Sequence, residues 1–305
     1  MTTPDIRYGD DYGGIKMRKR NTKQYQDFVS LVQIQSRPEE QRFIKRYVIL
    51  TTVIRTLCIS WLFLALCLII LNTMKEVISV RLASPLVMLS DICVLVVWYI
   101  YRYYYSAKIV NTWAKDCDIV KYLGIYNELI AYAPVRSNWG VHFYNLSMGL
   151  LEAGRSEDAE KVQSLAEQYC TSHMGRFYYE MGVIELAGYR KNYEEMEEHC
   201  RRLSSVQSKV CLTRTLRTRY TNTMQYPNYV QMSQNGAYQE LYDIFSKREA
   251  AAVKMSEKVR LNYRLYKIAL QLRDEKKAEE HKDFVIQRGG TTRYCTELMN
   301  DSTQG

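Results

Sequence analysis

Two long apolar runs in the first third of the chain stand out in its pattern of hydrophobic and polar positions. The first, Thr56 to Asn72, contains no charged residue, and the second, Leu82 to Tyr101, is broken only by Asp91. About 20 helical residues at ~1.5 Å each are enough to cross a bilayer. Residues 47–105 are therefore predicted to form a two-span transmembrane helical hairpin, and a pair of buried helices in a soluble protein is the alternative.

The charges that flank the two runs predict an orientation. Four basic residues precede the first run and four follow the second: Arg37, Arg42, Lys45 and Arg46, then Arg102, Lys108, Lys115 and Lys121. Because positive loops stay on the cytoplasmic side, both termini are expected to be cytoplasmic. The expected location is a bacterial cell membrane. The first run begins too late in the chain, and is too long, for a cleaved signal peptide.

Asp91 is the acidic residue inside the second run. A carboxylate at that depth is unfavourable, so Asp91 is expected to be protonated, to bond a hydroxyl such as Ser60 or Ser90, or to face a helix of a partner membrane protein. If the hairpin turns near residue 77, Arg55 lies ~12 Å closer to the cytoplasm than Asp91, so no ion pair between them is expected.

Apolar residues recur further along at the spacing of amphipathic helices, in units of thirty-four residues. Alignment at that spacing pairs Phe143 with Phe177, Tyr144 with Tyr178, Leu150 with Ile184, Ala153 with Ala187 and Gly154 with Gly188. Each unit is predicted to be a helix, a Gly-containing turn and a second helix. A third unit has the apolar stripe Leu261, Leu265, Ile268 and Leu272, with Asp274 in the turn and Ala278 early in the second helix.

These units resemble the tetratricopeptide repeat (TPR), in which a helix pair of about 34 residues has small residues where the helices cross. Gly154 and Ala159 match family positions, whereas Ser147 stands where the family favours Gly and Tyr193 takes a small-residue position. The resemblance implies an all-α fold with a TPR-like alpha-solenoid over residues 106–305. It also implies that the domain binds proteins. Another alpha-solenoid or an irregular bundle is the alternative.

The segments around the hairpin complete the predicted organisation. Residues 1–46 carry an excess of positive charge and few apolar residues, so they are expected to form a flexible basic cytoplasmic tail. The stretch from Ala107 to Tyr132 is predicted to continue the second span as one helix, which Pro134 ends.

Positive charge is also concentrated between Arg201 and Gln239, where no acidic residue occurs. The segment is a candidate contact with anionic lipid or an acidic partner, and a solvated surface is the alternative. Its cations are Arg201, Arg202, Lys209, Arg214, Arg217 and Arg219. Nucleic acid is not an expected partner because no recognition motif accompanies the charge.

No catalytic or metal-binding pattern is present in the sequence. The chain has eight cysteines without a CxxC pair, four histidines without HExxH, and no P-loop, GxGxxG or GxSxG motif. His199 and Cys200 follow two glutamates and are predicted to lie on a solvated helix face. No enzyme activity, cofactor or small-molecule substrate is therefore expected.

The sequence thus predicts a non-catalytic scaffold that is anchored in the lipid bilayer and binds another protein or peptide through its TPR-like repeats. Polar and aromatic residues on the first helix of each unit are the candidate contacts: His142, Asn145, Glu152, Tyr178, Glu185 and Tyr189. The alternative is an accessory subunit of a membrane protein complex that is recognised through the transmembrane hairpin at Asp91.

Overall fold

The computed structural model describes residue 32 and residues 34–75, 80–132 and 139–303. Every regular element in this part of the chain is an α-helix, so the all-α prediction is confirmed. The helices are α1 (Pro38–Lys75), α2 (Val80–Ala114), α3 (Ile119–Tyr132), α4 (Trp139–Glu152), α5 (Ser156–Tyr169), α6 (His173–Arg190), α7 (Tyr193–Gln207), α8 (Arg214–Met224), α9 (Tyr226–Gln234), α10 (Tyr238–Ala251), α11 (Met255–Gln271), α12 (Glu275–Arg288) and α13 (Arg293–Thr303).

Helices α1 and α2 lie side by side and run in opposite directions. Near one end of the pair, the rings of Phe43 and Tyr47 stack on Tyr105 at 5.7 and 5.2 Å. Further along, Trp61 Nε1 donates a hydrogen bond to Ser90 Oγ at 3.3 Å. The hydroxyl of Ser90 is therefore engaged by an indole, and Asp91 Oδ1 is buried without a hydrogen-bond partner in the described part of the chain.

Helix α1 is the one helix among the described residues that is long and apolar enough to cross a membrane, over Pro38–Cys67. Most of its described apolar side chains after Val48 point outward, and Phe63 is 68% exposed, whereas the core helix of a soluble protein is mostly buried. On α2, the side chains of residues 81–87 lie outside the described ones. The second span of the hairpin therefore stays a prediction.

The segment before α1 packs against the helices that follow the hairpin. Asn127 Nδ2 donates to the carbonyl of Ile34 at 3.1 Å, Ser36 Oγ donates to the carbonyl of Gly124 at 2.8 Å, and Ile44 is fully buried. Residues 34–46, which belong to the expected flexible tail, therefore contact the helical domain, and residues 1–31 and 33 of the tail lie outside the described part.

The predicted continuous helix from Ala107 to Tyr132 is wrong. Helix α2 ends at Ala114, Cys117 adopts a left-handed conformation with φ 53°, and α3 begins at Ile119. The carboxylate of Asp118 accepts a hydrogen bond from the backbone N–H of Lys121 at 3.1 Å, which is a helix N-cap. This local capping interaction starts a new helix. Pro134, predicted to end it, lies outside the described residues.

Four helical hairpins share one turn geometry. In each, a residue in the left-handed conformation follows the first helix, and the next residue donates its N–H to the carbonyl five positions earlier, which is the Schellman motif. The left-handed residues are Gly154, Lys191, Gly236 and Arg273. The hydrogen bonds are Arg155 to Leu150, Asn192 to Ala187, Ala237 to Met232 and Asp274 to Ala269, at 2.8 to 3.0 Å. The hairpins are α4–α5, α6–α7, α9–α10 and α11–α12.

The thirty-four-residue alignment predicts correctly which aromatic and aliphatic residues are buried. It predicts the wrong position for the turn between α6 and α7. Three of its pairs are buried in both units, namely Phe143 with Phe177, Tyr144 with Tyr178 and Leu150 with Ile184. Gly188, however, lies inside α6, and Lys191 takes the turn position, 37 residues after Gly154. Helix α6 is about one turn longer than α4, and one added turn leaves its buried face unchanged because the helical period is ~3.6 residues.

The C-terminal helices return to the beginning of the helical domain. The N–H of Thr291 donates to the carbonyl of Cys117 at 3.1 Å, in the turn between α2 and α3. The hydroxyl of Tyr294 on α13 donates to Glu152 Oε1 on α4 at 3.2 Å. The hairpins therefore form an array whose last helices contact its first, with a cleft between them.

A candidate binding cleft between the helical hairpins

The cleft has a volume of about 350 Å³ and is lined mainly by α4, α6, α9, α11 and α13. Three of the six residues predicted from the first helices of the repeats lie in it, namely Glu152, Glu185 and Tyr189. Each belongs to the last two turns of α4 or α6, so the Schellman turns that end these helices fix where their side chains point.

The two glutamates of the cleft are held by hydroxyl groups of tyrosines. Glu152 Oε1 accepts from Tyr294 and lies 4.0 Å from the guanidinium of Arg260, while Glu185 Oε1 accepts from the hydroxyl of Tyr226 at 2.8 Å. Glu152 is 7% exposed, and its Oε2 has no hydrogen-bond partner in the described residues. Burial raises the pKa of Glu152, although Arg260 and Arg293 act in the opposite direction.

The opposite wall of the cleft carries cations. Arg260, Arg264 and Lys267 follow one another on one face of α11, at the i, i+4, i+7 spacing. The Arg264 guanidinium lies 5.4 Å from the ring of Tyr226, and Lys267 Nζ lies 5.3 Å from the ring of Tyr263. On α13, Arg293 stacks over Tyr189 at 4.3 Å. These are cation–π contacts, and they orient the charges toward the cleft.

The cleft is more basic than acidic. It contains four cations, Arg260, Arg264, Lys267 and Arg293, against the carboxylates of Glu152 and Glu185. None of these cations was predicted from the sequence as a contact residue. A signal was present on α11, because the basic residues lie one helical position from the apolar stripe of Leu261 and Leu265. For Arg293 the sequence carries no comparable signal.

The other predicted contact residues are used inside the fold. The hydroxyl of Tyr126 hydrogen-bonds with His142 Nδ1 at 3.2 Å and accepts from Asn145 Nδ2 at 2.9 Å. The ring of Tyr178 packs against Tyr144 at 5.6 Å. These contacts join α3, α4 and α6, which places the three residues between helices and outside the lining of the cleft.

The basic segment after residue 200 forms a separate surface. Arg201, Arg202, Lys209, Arg214 and Arg217 are exposed on α7, the following loop and α8, and Arg219 is partly buried. Arg202 forms an ion pair with Glu198. None of the six lines the cleft, and both predicted interpretations, a contact with acidic groups and a solvated surface, fit this exposure.

The predicted solvated face at His199 and Cys200 is wrong. Both residues are buried, and His199 Nδ1 hydrogen-bonds with Glu180 Oε2 between α6 and α7. The acidic neighbours Glu197 and Glu198 are exposed, so the helix changes from a solvated to a packed face within one turn. The neighbouring glutamates led to the wrong prediction that His199 and Cys200, which are buried, lie on a solvated face.

The described residues contain no group of three His, Cys, Asp or Glu side chains that could hold a metal ion. Comparison of the whole chain with protein families, curated proteins and solved structures finds no match. The class of protein is therefore defined by its fold, which is an array of helical hairpins with a polar, tyrosine-lined cleft.

Proposed function

We propose that this chain is a membrane-anchored, non-catalytic scaffold that binds another protein, and that its cleft takes an acidic segment of that partner. The observation that carries the proposal is the excess of cations on α11. In the described residues neither Arg264 nor Lys267 forms an ion pair with a carboxylate, and both lie beside aromatic rings. Cations and tyrosines in a concave surface are the groups that bind acidic peptides with orientation.

The membrane part of the proposal is supported by the outward apolar surface of both helices of the hairpin. Large apolar residues are exposed on α1 and on the described side chains of α2, for example Phe63, Leu64, Ile92 and Val97. A patch of this kind marks contact with a membrane or a protein. We propose two spans, with both termini on the cytoplasmic side, because the flanking charges are basic.

The repeat class is part of the same proposal. The recurrence of one turn geometry in four hairpins supports an alpha-solenoid, and the packing of α4 against both α5 and α6 is the arrangement that TPR-like repeats use. The tetratricopeptide class itself stays a prediction, because the turns of the first two hairpins are 37 residues apart.

A crosslinked pull-down from membranes tests the proposal with the full chain. Reversing charge in the cleft, by Arg264→Glu with Lys267→Glu, is expected to remove the crosslinked partners because an acidic segment is then repelled. Two substitutions on the exposed face of α12, Lys276→Glu with Arg288→Glu, make the same change in net charge outside the cleft and should leave recovery unchanged. Equal recovery with both variants would exclude the cleft as the binding site.

A second candidate function is favoured by Asp91. Its Oδ1 is buried without a hydrogen-bond partner in the described residues, and its helix presents an apolar face. In an accessory subunit of a membrane complex, a polar group of a neighbouring span would meet this carboxyl.

The substitution Asp91→Asn tests this alternative in the same pull-down. If the hairpin specifies the complex, Asp91→Asn loses partners that the charge-reversed cleft retains. Cys93→Ser, at an exposed position on the same helix, is the control. Retention of all partners by Asp91→Asn would contradict the accessory-subunit function.

A further inference from the structure

A second cavity, of about 490 Å³, lies where α1, α2 and α3 meet. Carboxylates and ammonium groups both line it. The acids are Glu39, Glu40 and Asp116, and the bases are Lys108 and Lys121. The rings of Phe43 and Tyr104 complete the wall. Nothing in the proposed scaffold function uses this cavity, which is separate from the cleft.

Glu40 has an unmet hydrogen-bonding capacity inside the cavity wall. It is 2% exposed, and its Oε2 accepts the backbone N–H of Arg37 at 2.7 Å at the start of α1. Its Oε1 is buried and has no hydrogen-bond partner in the described residues. A buried carboxylate oxygen without a donor is unfavourable, so a ligand that brings a cationic donor gains binding energy there.

The two lysines provide a complementary charge. Lys108 Nζ lies 5.2 Å from the centre of the Phe43 ring, and Lys121 is exposed at the rim. Neither lysine forms an ion pair with a carboxylate in the described residues. An anionic group of the ligand can therefore bind both ammonium groups without displacing a carboxylate.

The cavity lies at the depth of lipid headgroups if α1 and α2 insert as proposed. If Arg55 is tolerated near one end of the first span, its apolar segment extends back from Thr56 to Val48. Phe43 then lies five residues before this segment, which is ~8 Å along a helix. The polar layer of a bilayer is about 5–8 Å thick on each side. Tyr104 occupies the corresponding place after the second apolar run, and aromatic rings favour this layer.

We infer that the cavity between α1, α2 and α3 binds the headgroup of an ethanolamine phospholipid, with the ammonium at Glu40 and Asp116 and the phosphate at Lys108 and Lys121. The inference rests on the proposed membrane insertion of α1 and α2. A primary ammonium donates hydrogen bonds to carboxylates, which a choline headgroup cannot do. A glycerol headgroup supplies the phosphate and no cation.

The inference is tested on the full chain in detergent micelles by measuring its thermal unfolding midpoint against added lipid. Phosphatidylethanolamine is expected to raise the midpoint at concentrations roughly tenfold lower than phosphatidylcholine or phosphatidylglycerol, since a ligand of the folded state stabilises it. Soluble O-phosphoethanolamine, which has the same ammonium and a phosphate monoester without acyl chains, is expected to have no effect at these concentrations.

Two variants test the two ends of the headgroup, one for the ammonium and one for the phosphate. Glu40→Gln retains an acceptor for the Arg37 N–H and removes the charge, so it should abolish the preference for phosphatidylethanolamine over phosphatidylcholine. Lys121→Gln, at the exposed rim, should weaken phosphatidylethanolamine binding roughly tenfold. The matched controls Lys115→Gln and Glu157→Gln lie at exposed positions outside the cavity and should bind like the unmodified chain. Circular dichroism checks that each variant is folded.

The outcomes are distinguishable. Equal midpoints with the three phospholipids, or Lys121→Gln binding like its control, would overturn the headgroup site. A response to O-phosphoethanolamine as strong as to the lipid would assign the cavity to a soluble ligand and also overturn it. Flotation of the chain with pure phosphatidylcholine vesicles tests insertion separately, and failure to float would contradict the membrane anchor itself.

Discussion

His142 is held at the interface between α3 and α4 in a position that disfavours its charged form. Its Nδ1 hydrogen-bonds with the hydroxyl of Tyr126, which also accepts from Asn145. Burial lowers the pKa of His142 to about 4, from the usual value of 6.5. The side chain that was predicted as a partner contact is therefore a partly buried, neutral group between two helices, and its protonation at low pH should destabilise the fold.

Between pH 6.5 and pH 4, the unfolded chain binds a proton at His142 that the folded chain does not. The free energy of unfolding should therefore fall as the pH is lowered through this window, by up to roughly 3 kcal/mol from this residue. His142→Gln should reduce the pH dependence by that amount. Urea unfolding of the full chain in detergent at pH 7 and pH 4.5 measures the difference.

The exposed His173 at the start of α6 provides the control, and His173→Gln should keep the full pH dependence. Burial also lowers the pKa of His281, so part of the dependence remains in His142→Gln. An unchanged slope in His142→Gln would show that burial between α3 and α4 does not keep this ring neutral.

Among single residues, the glutamates on one wall of the cleft were predicted from the sequence, and the cations on the opposite wall were not. Glu152 and Glu185 were predicted because helical periodicity places them on the first helix of each unit. Arg260 was not predicted, because it faces Glu152 only after α11 has returned to α4, 108 residues further along the chain. Local periodicity predicts which residues share one face of a helix. It does not predict which distant residues contact that face.

Helices α4 and α6 approach each other closely at glycines. Two glycines with different surroundings distinguish the steric effect of an added methyl group from its effect on helix propensity. At Gly140, near the start of α4, an added Cβ would lie 2.7 Å from the Cα of Gly175 on α6. At Gly188, inside α6, the nearest atom to an added Cβ is the sulfur of Met196 at 3.8 Å, an ordinary contact. Neither position requires a positive φ.

Gly140→Ala is expected to destabilise the chain by about 1–3 kcal/mol, because two helix backbones must separate to admit the methyl group. Gly188→Ala is expected to be neutral or to stabilise by up to ~1 kcal/mol, because Ala favours a helix interior over Gly. Urea unfolding of both variants beside the unmodified chain measures the two effects. Destabilisation by Gly188→Ala would place that residue in a turn, as the sequence alignment predicted.

The turns of the α6–α7 and α11–α12 hairpins could not be located from a glycine. Their left-handed residues are Lys191 and Arg273. Such residues are uncommon in that conformation and leave no signal of their own. The residue after each one did leave a signal. Asn192 and Asp274 are good N-cap residues, and their side chains accept the N–H groups of Glu195 and Lys277. Only Asp274 was assigned to a turn from the sequence.

At the scale of the whole molecule, the return of the C-terminal helices to α4 is the feature that the sequence predicts least. It depends on contacts between positions more than 140 residues apart, such as Tyr294 with Glu152 and Thr291 with Cys117. Repeat periodicity defines neighbouring helices and the direction of an array, and small changes in each crossing angle decide whether its ends meet. Because the last helices return to the first, the surface between the hairpins is a cleft that is lined mainly by α4, α6, α9, α11 and α13.

A double-mutant cycle between the two ends of the array measures this closure. Tyr294→Phe removes the donor to Glu152 Oε1, and Glu152→Gln replaces the charged acceptor by a neutral one. If the ends are in contact, the two changes in the free energy of unfolding should be non-additive, with a coupling of about 0.5–3 kcal/mol. Tyr242→Phe is the control partner for Glu152→Gln, because its hydroxyl bonds His281 Nε2 at 2.9 Å, and that pair should be additive. Additivity in both cycles would mean that α13 does not close on α4 in solution, and the cleft would then be open on the side that α13 lines.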